Sequence, residues 1–331
     1  MRKPATSLLL ATLMFCVWGV QAQQSSTPES KTPATKTRTP SSIQTEDQSE
    51  SKFKVDVNLI NVFVTVTDAK GAPVGGLTKE NFLLREDGRD QVIKVFDKES
   101  ALPLSIALAI DTSLSTRHDL PFEQSSAKRF AHDIVRPIDA LSVYAFSEFV
   151  HESAAGYTSD LKRIDDSIDH LRVGAATALY DAIYLASRAL DHRKGRKVIV
   201  LITDGGDTIS KIDYKQAVRS AEEAEAIVYS IIVVPIESSA GRETGGEHAL
   251  IQLSEDTGGK YYYATSTSQL DDAFHKISDE LRTQYLLAYY PSQHTSFSEF
   301  RRIEVKVAGV ADAAEYRVRH RAGYYTVKSD F

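Results

Sequence analysis

The sequence predicts an α/β protein in which a mainly parallel sheet, flanked by helices, is inserted into a smaller β-sandwich. Strand-like and helix-like segments alternate between about Leu102 and Leu281, as they do in the βα units of a parallel sheet. On either side, residues 53–97 and the segment after Tyr285 contain strand-like runs alone. Since neither flank has enough strands for a stable sheet, we expect the two flanks to pair into one β-sandwich.

The 331 residues divide into five predicted segments. These are a signal peptide (1–22), a disordered linker (23–52), the N-terminal part of the β-sandwich (53–100), the α/β domain (101–283) and the C-terminal part of the β-sandwich (284–331).

The first segment has the pattern of an export signal. Arg2 and Lys3 precede an apolar run over 8–18, and Val20-Gln21-Ala22 has the form of a small-x-small cleavage site. The apolar run is short for a transmembrane span, which is the alternative interpretation. We therefore expect an exported protein in the periplasm, on the cell surface or outside the cell, with no integral membrane segment after cleavage.

Composition narrows the possible functions. The single Cys, the single Trp and both Met lie within residues 1–22, so the mature chain would have no thiol for a disulfide, for catalysis or for a thiolate metal site. Cleavage would also remove Arg2 and Lys3, which moves the formal net charge from −6 to −8. A mildly acidic exported protein is a poor nucleic-acid binder. Residues 23–52 have almost no large apolar side chains and read as a flexible tether.

The predicted elements of the two flanks are short strands. In the N-terminal flank they are an alternating strand over 53–59, a strand over 62–67, a turn at 68–71, and a hairpin of 82–86 with 91–96 around the turn 87–90. In the C-terminal flank they are strand-like runs over 285–291, 302–307, 315–319 and 321–325.

Between the flanks, buried-type strands alternate with amphipathic helices. The predicted strands are 104–110, 141–146, 198–202 and 227–234. Five helices are predicted. The first has Phe122, Ala127, Phe130, Ala131 and Ile134 on its buried face, and the second has Leu161, Ile164, Ile168 and Leu171 and is capped by Ser159. The third follows Thr177, the fourth covers 214–226, and the fifth has Leu270, Phe274, Ile277 and Leu281. The polar stretch 237–247 is predicted to be an exposed loop.

A possible metal site begins where the first of these strands ends. Asp111-Thr112-Ser113-Leu114-Ser115 places one carboxylate and two hydroxyls in a turn, where alternate side chains can converge. All three are hard oxygen ligands, which suit Mg²⁺ or Mn²⁺. Taken alone, the pattern is also explained by a serine that caps the following helix.

Two later segments favour the metal interpretation. Thr177 lies in the small-residue loop Gly174-Ala175-Ala176-Thr177, and Asp204 follows a buried-type strand in Thr203-Asp204-Gly205. Each segment alone is weak, because Thr before a helix and Asp-Gly in a turn are common. Together they place Asp111, Thr177 and Asp204 at carboxyl ends of strands or in the loops beyond them, which is the edge where open α/β sheets bind ligands.

With all five positions filled in this order, the chain resembles the von Willebrand factor type A (VWA) family, and its layout resembles secreted bacterial VWA-related proteins. The resemblance implies a Rossmann-like domain and a metal-ion-dependent adhesion site with Mg²⁺ or Mn²⁺. It implies direct coordination by Ser113 and Ser115, with Thr177, Asp111 and Asp204 binding directly or through water. It also implies an open coordination position that a partner's Asp or Glu carboxylate can fill. No role is implied for Asp207.

Motifs for catalysis are missing from the sequence. There is no Gly-x-Gly-x-x-Gly after a strand, no Walker-type Gly-Lys-Ser/Thr and no His-Glu-x-x-His, and none of the nine His residues has a serine-hydrolase context. We therefore expect a non-enzymatic binding or adhesion protein that recognises an acidic group of a protein partner through a divalent cation. The first alternative is an envelope scaffold in which the metal only stabilises the fold, and the second is a metal-assisted hydrolase.

Overall fold

The computed structural model describes residues 59–98, 102–117, 119–234, 244–293 and 297–326. The predicted signal peptide and linker, and residues 53–58 of the first predicted strand, lie outside these ranges. Within the ranges, no helix combines the length and the apolar character needed to cross a membrane.

The N-terminal flank forms four strands. They are β1 (Ile60–Thr67), β2 (Phe82–Glu86), β3 (Arg89–Asp90) and β4 (Ile93–Lys98). The predicted hairpin is wrong in its pairing. Across the turn β2 pairs with the two-residue β3, and its other neighbour is β12, whereas β4 joins a different sheet. The turn was recognised from local residues, but the strand that follows it is held by a partner far away in the chain.

The central region alternates strands and helices as predicted. Its strands are β5 (Leu104–Asp111), β6 (Ala140–Phe146), β7 (Val150–Glu152), β8 (Arg196–Thr203), β9 (Ala226–Val233) and β10 (Tyr261–Ala264). Its helices are α1 (Leu120–Ile134), α2 (Leu161–Asp169), α3 (Leu179–Asp191), α4 (Tyr214–Glu223), α5 (Thr244–Asp256) and α6 (Thr267–Thr283).

The C-terminal flank supplies the remaining strands. They are β11 (Tyr285–Tyr289), β12 (Phe300–Val307), β13 (Arg317–Arg319) and β14 (Gly323–Tyr325).

Strands of both flanks combine in two antiparallel four-stranded sheets, as the sequence predicts. Their orders are β13-β1-β11-β4 and β14-β12-β2-β3. One buried cluster joins the two sheets, with Val62, Val64 and Leu287 from the first and Phe82, Leu84 and Val305 from the second. Alternation along β12, where every second side chain is buried, is the pattern of a sheet with one covered face. The two sheets form a sandwich-like part.

A six-stranded sheet with helices on both faces forms the rest of the protein. Its order is β10-β9-β8-β5-β6-β7, and all neighbours are parallel except β6 and β7. All eight residues of β5 are buried, which explains its nearly continuous apolar sequence. One face packs against α1 and α6, and the other packs against α3 and α4. The predicted α/β class is confirmed.

Three local predictions in this region are wrong. Asp160, rather than Ser159, caps α2, because its carboxylate accepts hydrogen bonds from the backbone N–H groups of Lys162 and Arg163. Residues from Thr244 to Glu247 belong to α5 instead of an exposed loop. Phe122, which was predicted on the buried face of α1, is 56% exposed, and Glu123 is buried instead.

A buried polar network links α6 to the sandwich-like part. The guanidinium of Arg319 donates to Glu280 Oε2 at 2.6 Å, and Tyr262 donates to Glu280 Oε1 at 3.2 Å. The guanidinium of Arg196 donates to the carbonyl of Leu281. We call Arg196, Glu280 and Arg319 the junction cluster.

Candidate metal site

The structure brings the predicted ligands to one edge of the six-stranded sheet. Asp111 is the last residue of β5, and Asp204 directly follows β8, which is the parallel neighbour of β5. Thr177 lies two residues before α3, and Ser113 and Ser115 lie in the loop after β5. Because parallel strands end at the same edge, motifs far apart in the chain become neighbours.

Asp111 is held rigidly at this edge. The residue is fully buried; its Oδ1 accepts a hydrogen bond from the backbone N–H of Ser113 at 2.8 Å, and its Oδ2 accepts one from the Thr203 hydroxyl at 2.7 Å. Burial raises the pKa of Asp111 to about 6, and nearby Asp204 adds to the rise. Each carboxylate oxygen keeps a lone pair beyond these bonds, so Asp111 can still accept from a metal-bound water.

The two serine hydroxyls lie side by side. Ser113 Oγ and Ser115 Oγ are 2.9 Å apart, and Ser113 is buried while Ser115 is exposed. The loop is fixed by Thr116, whose hydroxyl donates to the carbonyls of Asp111 and Ser113. The Thr116 hydroxyl therefore fixes the turn, and the hydroxyls of Ser113 and Ser115 are not used for hydrogen bonds to the backbone.

Thr177 is placed by the loop that carries Asp204. Its backbone N–H donates to Thr208 Oγ1 at 2.9 Å, and its carbonyl accepts from the backbone N–H of Thr208 at 2.9 Å. The Thr177 residue is 5% exposed, and its own hydroxyl has no hydrogen-bond partner among the described residues. A hydroxyl that is positioned but unused is consistent with a ligand.

Asp207 has a different task from Asp204. Its carboxylate accepts hydrogen bonds from the backbone N–H of Tyr180 at 3.3 Å and from the Ser210 hydroxyl, so it fixes the loop against the start of α3. Asp204 accepts only a long 3.5 Å contact from the backbone N–H of Gly206. The assignment of Asp204 rather than Asp207 to the site therefore agrees with the hydrogen bonding.

Glu123 is a residue of this region that the sequence analysis missed. It lies in the first turn of α1, it is 1% exposed, and neither carboxylate oxygen has a hydrogen-bond partner in the part of the chain that the structure describes. Burial raises the pKa of Glu123 to about 8, with further contributions from the charges of Asp111, Asp119 and Asp204. The signal was helical phase, because Glu123 lies four residues before Ala127 and seven before Phe130 on the buried face.

We call Asp111, Glu123 and Asp204 the acid cluster. None of the ion pairs formed among the described residues includes any of the three. Buried carboxylates are costly unless they are paired with a cation or protonated. The electrostatics of this edge therefore suit a bound cation.

The donor types suit Mg²⁺ or Mn²⁺ in particular, because all are carboxylate or hydroxyl oxygens. No three His, Cys, Asp or Glu side chains converge as a metal-binding group anywhere in the described ranges. The predicted set has only two such side chains and takes its other three ligands from hydroxyls. A divalent ion here would depend on Ser113, Ser115 and Thr177 together with solvent.

A comparison with protein families matches the region that contains these residues. Residues 106–206 match the model of the von Willebrand factor type A domain. The match covers about a third of the chain and spans the site from β5 to the loop after β8. The VWA-type region thus includes all five predicted ligands.

Solved structures give more distant likenesses. BatB from Bacteroides thetaiotaomicron is 18% identical, with a TM-score of 0.44 over 54% of this chain and 100% of that one. A von Willebrand factor type A protein from Catenulispora acidiphila is 10% identical, with a TM-score of 0.49 over 82% of this chain and 75% of that one. The PilB minor pilin from Streptococcus sanguinis is 14% identical, with a TM-score of 0.45 over 56% of this chain and 62% of that one. None of these likenesses is close enough to carry a functional argument. Comparison with curated proteins gave no match.

Proposed function

We propose that the protein is an exported, non-enzymatic binding or adhesion protein that recognises an acidic group of a protein partner through Mg²⁺ or Mn²⁺. The cation would be held by Asp111, Ser113, Ser115, Thr177 and Asp204. The observation that carries the proposal is the acid cluster, whose charges have no basic partner among the described residues.

A divalent cation offsets the electrostatic cost of this cluster. Desolvation penalises the charged forms of Asp111 and Glu123, and the nearby charge of Asp204 adds to both penalties. Glu123 is outside the five-residue set and would act through a metal-bound water, as carboxylates around metal sites often do. The ligand shell itself is rich in neutral hydroxyls, so the ion would remain attractive to another carboxylate.

Exposure indicates the side from which a partner would approach. Asp111, Ser113 and Thr177 are buried, whereas Ser115 is exposed and Asp204 is half-buried. An incoming carboxylate would therefore reach the ion on the side of Ser115 and Asp204.

A binding role is favoured because no His or Lys side chain is found on the proposed ligands in the described part of the chain. Among the described residues, no hydrogen bond or ion pair joins a His or Lys side chain to any of the five proposed ligands. Hydrolysis by a metal-activated water would need a group to move the proton, and in the acid cluster that task would fall to the carboxylate of Glu123.

Calorimetric titration of Mg²⁺ into metal-stripped mature protein tests the cation site. We expect saturable one-site binding in the wild type and in Asp207→Asn, and no binding in Asp204→Asn. The two variants make the same chemical change in the same loop, but only Asp204 is free to bind a cation. Equal binding by both variants would refute the ligand assignment.

The scaffold alternative predicts a cation that does not recognise acids. If the ion has an open position, a carboxylate that binds there must raise the affinity for Mg²⁺, because the two binding events are linked. We expect acetate to tighten Mg²⁺ binding relative to an equal ionic strength of chloride. Tight Mg²⁺ binding that is indifferent to acetate would favour the scaffold.

A further inference from the structure

Exposed apolar side chains are concentrated in the loops around the proposed cation site. In the described part of residues 102–283, eight large apolar side chains are exposed. Five of them lie in the loops or first helical turn at the carboxyl edge of the six-stranded sheet, namely Leu114 (58%), Phe122 (56%), Phe149 (63%), Val173 (41%) and Ile209 (52%). Single exposed apolar residues are ordinary, but several at one edge mark an interaction surface.

Four of these side chains belong to the loops that carry or adjoin residues of the site. Leu114 lies between Ser113 and Ser115, Val173 lies four residues before Thr177, and Ile209 lies five residues after Asp204. Phe149 belongs to the turn after β6, which pairs with β5 up to Asp111. We call Leu114, Phe149, Val173 and Ile209 the apolar ring.

Hydrogen bonds tie the four loops into one platform. The carbonyl of Thr112 accepts from the backbone N–H of Gly174 at 2.8 Å, and its N–H donates to the carbonyl of Phe146 at 2.8 Å. The backbone N–H of Ala178 donates to the carbonyl of Ser147 at 2.7 Å. The loop of Ile209 is joined in turn through the two hydrogen bonds between Thr177 and Thr208.

Close packing also holds these loops together. A Cβ on Gly174 would lie 2.2 Å from Ser147 Oγ, so the loop before α3 approaches the turn after β6 too closely for any larger residue. The loops that carry the apolar ring are therefore already ordered, so that binding a partner does not cost the entropy of ordering them.

We propose that the apolar ring is the contact surface for a protein segment in which an acidic residue is flanked by apolar side chains. The proposal rests on the proposed cation site, which fixes the acidic residue of the partner. Charge complementarity between cation and carboxylate gives the centre of the interface, and the ring continues that interface outwards with a water-excluding rim.

The chemistry of the ring disfavours an acidic polysaccharide. Three of its four members are aliphatic, so they offer neither the flat aromatic faces on which sugars stack nor hydrogen bonds for sugar hydroxyls. Hydroxyls buried against Leu114, Val173 and Ile209 would lose water without compensation. Apolar side chains of a protein gain from the same contact.

Selection from a random-peptide phage library tests the proposal, with immobilised mature protein in Mg²⁺ and elution by EDTA. We expect enriched peptides to carry an acidic residue with apolar residues within two positions. Binding of those peptides should fall at least tenfold in Phe149→Ser and in Ile209→Ser. Leu185→Ser is the matched control, because Leu185 is 45% exposed on α3 and lies outside the ring.

Titration of Mg²⁺ into the same variants separates this proposal from the cation site. If Mg²⁺ binds but the selected peptides lack flanking apolar residues, bind Phe149→Ser as they bind the wild type, or fail to enrich, the ring is wrong and the cation site stands. If polygalacturonate binds as tightly as the best peptide and is indifferent to Ile209→Ser, the ring is again wrong. If Mg²⁺ does not bind and apolar peptides still lose affinity in the ring variants, the cation site and the acidic centre of the segment are both wrong, and the apolar ring alone remains as a contact surface.

Discussion

The acid cluster and the junction cluster are both ionic and mostly buried, with Asp204 and Arg319 half-buried, but they differ in how their charge is balanced. At the junction, Glu280 accepts a hydrogen bond from the Arg319 guanidinium at 2.6 Å and from the Tyr262 hydroxyl at 3.2 Å. In the acid cluster, Asp111 has neutral donors and Glu123 has none among the described residues. One cluster carries its own counter-charge, whereas the other does not.

This difference separates structural from functional polar groups. A buried ion pair that is complete within the chain holds elements together, and breaking it leaves an unpaired charge. A group of buried carboxylates without a counter-charge destabilises the fold until protons or a cation neutralise it. The junction cluster therefore reads as part of the architecture, and the acid cluster reads as a site that needs something from outside.

The largest expected loss of stability comes from breaking the ion pair of the junction cluster. Arg319→Ala removes the hydrogen-bonded cation from Glu280, which is 3% exposed, and leaves it the Lys260 ammonium at 3.9 Å, so the free energy of unfolding should fall by about 3 kcal/mol. Urea denaturation followed by circular dichroism measures it. Arg317→Ala is the control, because Arg317 lies on the same strand and is exposed. A loss in Arg319→Ala no greater than that of the control would show that the junction pair is not needed for stability.

Binding of a cation at the acid cluster should stabilise the folded protein by a similar amount. At about one hundred times its dissociation constant, Mg²⁺ should raise the free energy of unfolding by about 2.7 kcal/mol. Asp204→Asn should abolish this increment, and Arg319→Ala should leave it intact, since the junction cluster does not bind the ion. Urea denaturation with Mg²⁺ and with EDTA gives both numbers. An undiminished increment in Asp204→Asn would place the ion elsewhere.

The next expected effect is a change in the free energy of unfolding on replacement of Glu123, and its size depends on pH. Burial raises the pKa of Glu123 to about 8, against a pKa of 4.5 for the free side chain. As pH rises from 4.5 to 8, the unfolded chain releases this proton while the folded metal-free protein retains it, so the free energy of unfolding falls. Glu123→Gln removes that loss. The variant should match the wild type near pH 4.5 and exceed it by a few kcal/mol at pH 8.

Thermal or urea unfolding of metal-stripped protein at the two pH values measures this effect. Saturating Mg²⁺ should narrow the difference at pH 8, because the cation stabilises the ionised carboxylate of the wild type. Glu222 is another buried acid with a raised pKa, about 7, and Glu222→Gln shows the same pH trend without the response to Mg²⁺. A difference between Glu123→Gln and wild type that is independent of pH would contradict the assignment.

The strand ends that carry the acid cluster could largely be predicted from the sequence, because the residues that end a strand or form a turn are local signals. The apolar run before Asp111 and the Thr-Asp-Gly at the end of β8 placed two proposed ligands at strand ends, and β5 and β8 are parallel neighbours in the sheet. Glu123 escaped because the buried face of α1 was assigned by residue type. The apolar Phe122 was chosen over the helical phase that Ala127 and Phe130 define, and that phase selects Glu123.

Non-local pairing accounts for the other misses. β4 follows β2 after a short turn, yet it pairs with β11, which lies almost two hundred residues later. The junction cluster likewise joins α6 to β13, and no local pattern around Glu280 indicates which cation will face it. Such contacts are selected by packing of the whole fold, so single-sequence patterns predict the elements better than their partners.

The smallest expected effect concerns a residue that orients the acid cluster without belonging to it. Thr203 is fully buried; its hydroxyl donates to Asp111 Oδ2 at 2.7 Å and accepts from the backbone N–H of Gly205 at 3.1 Å. Thr203→Val keeps the shape and removes both bonds, so Asp111 loses one of the two donors that fix it. Groups of this kind typically contribute tenfold or more to metal affinity. We expect calorimetry to show roughly tenfold weaker Mg²⁺ binding in Thr203→Val, whereas Thr203→Ser, which keeps the hydroxyl, should bind within about twofold of the wild type. Equal weakening in both variants would mean that the methyl group of Thr203, rather than its hydrogen bond to Asp111, supports the site.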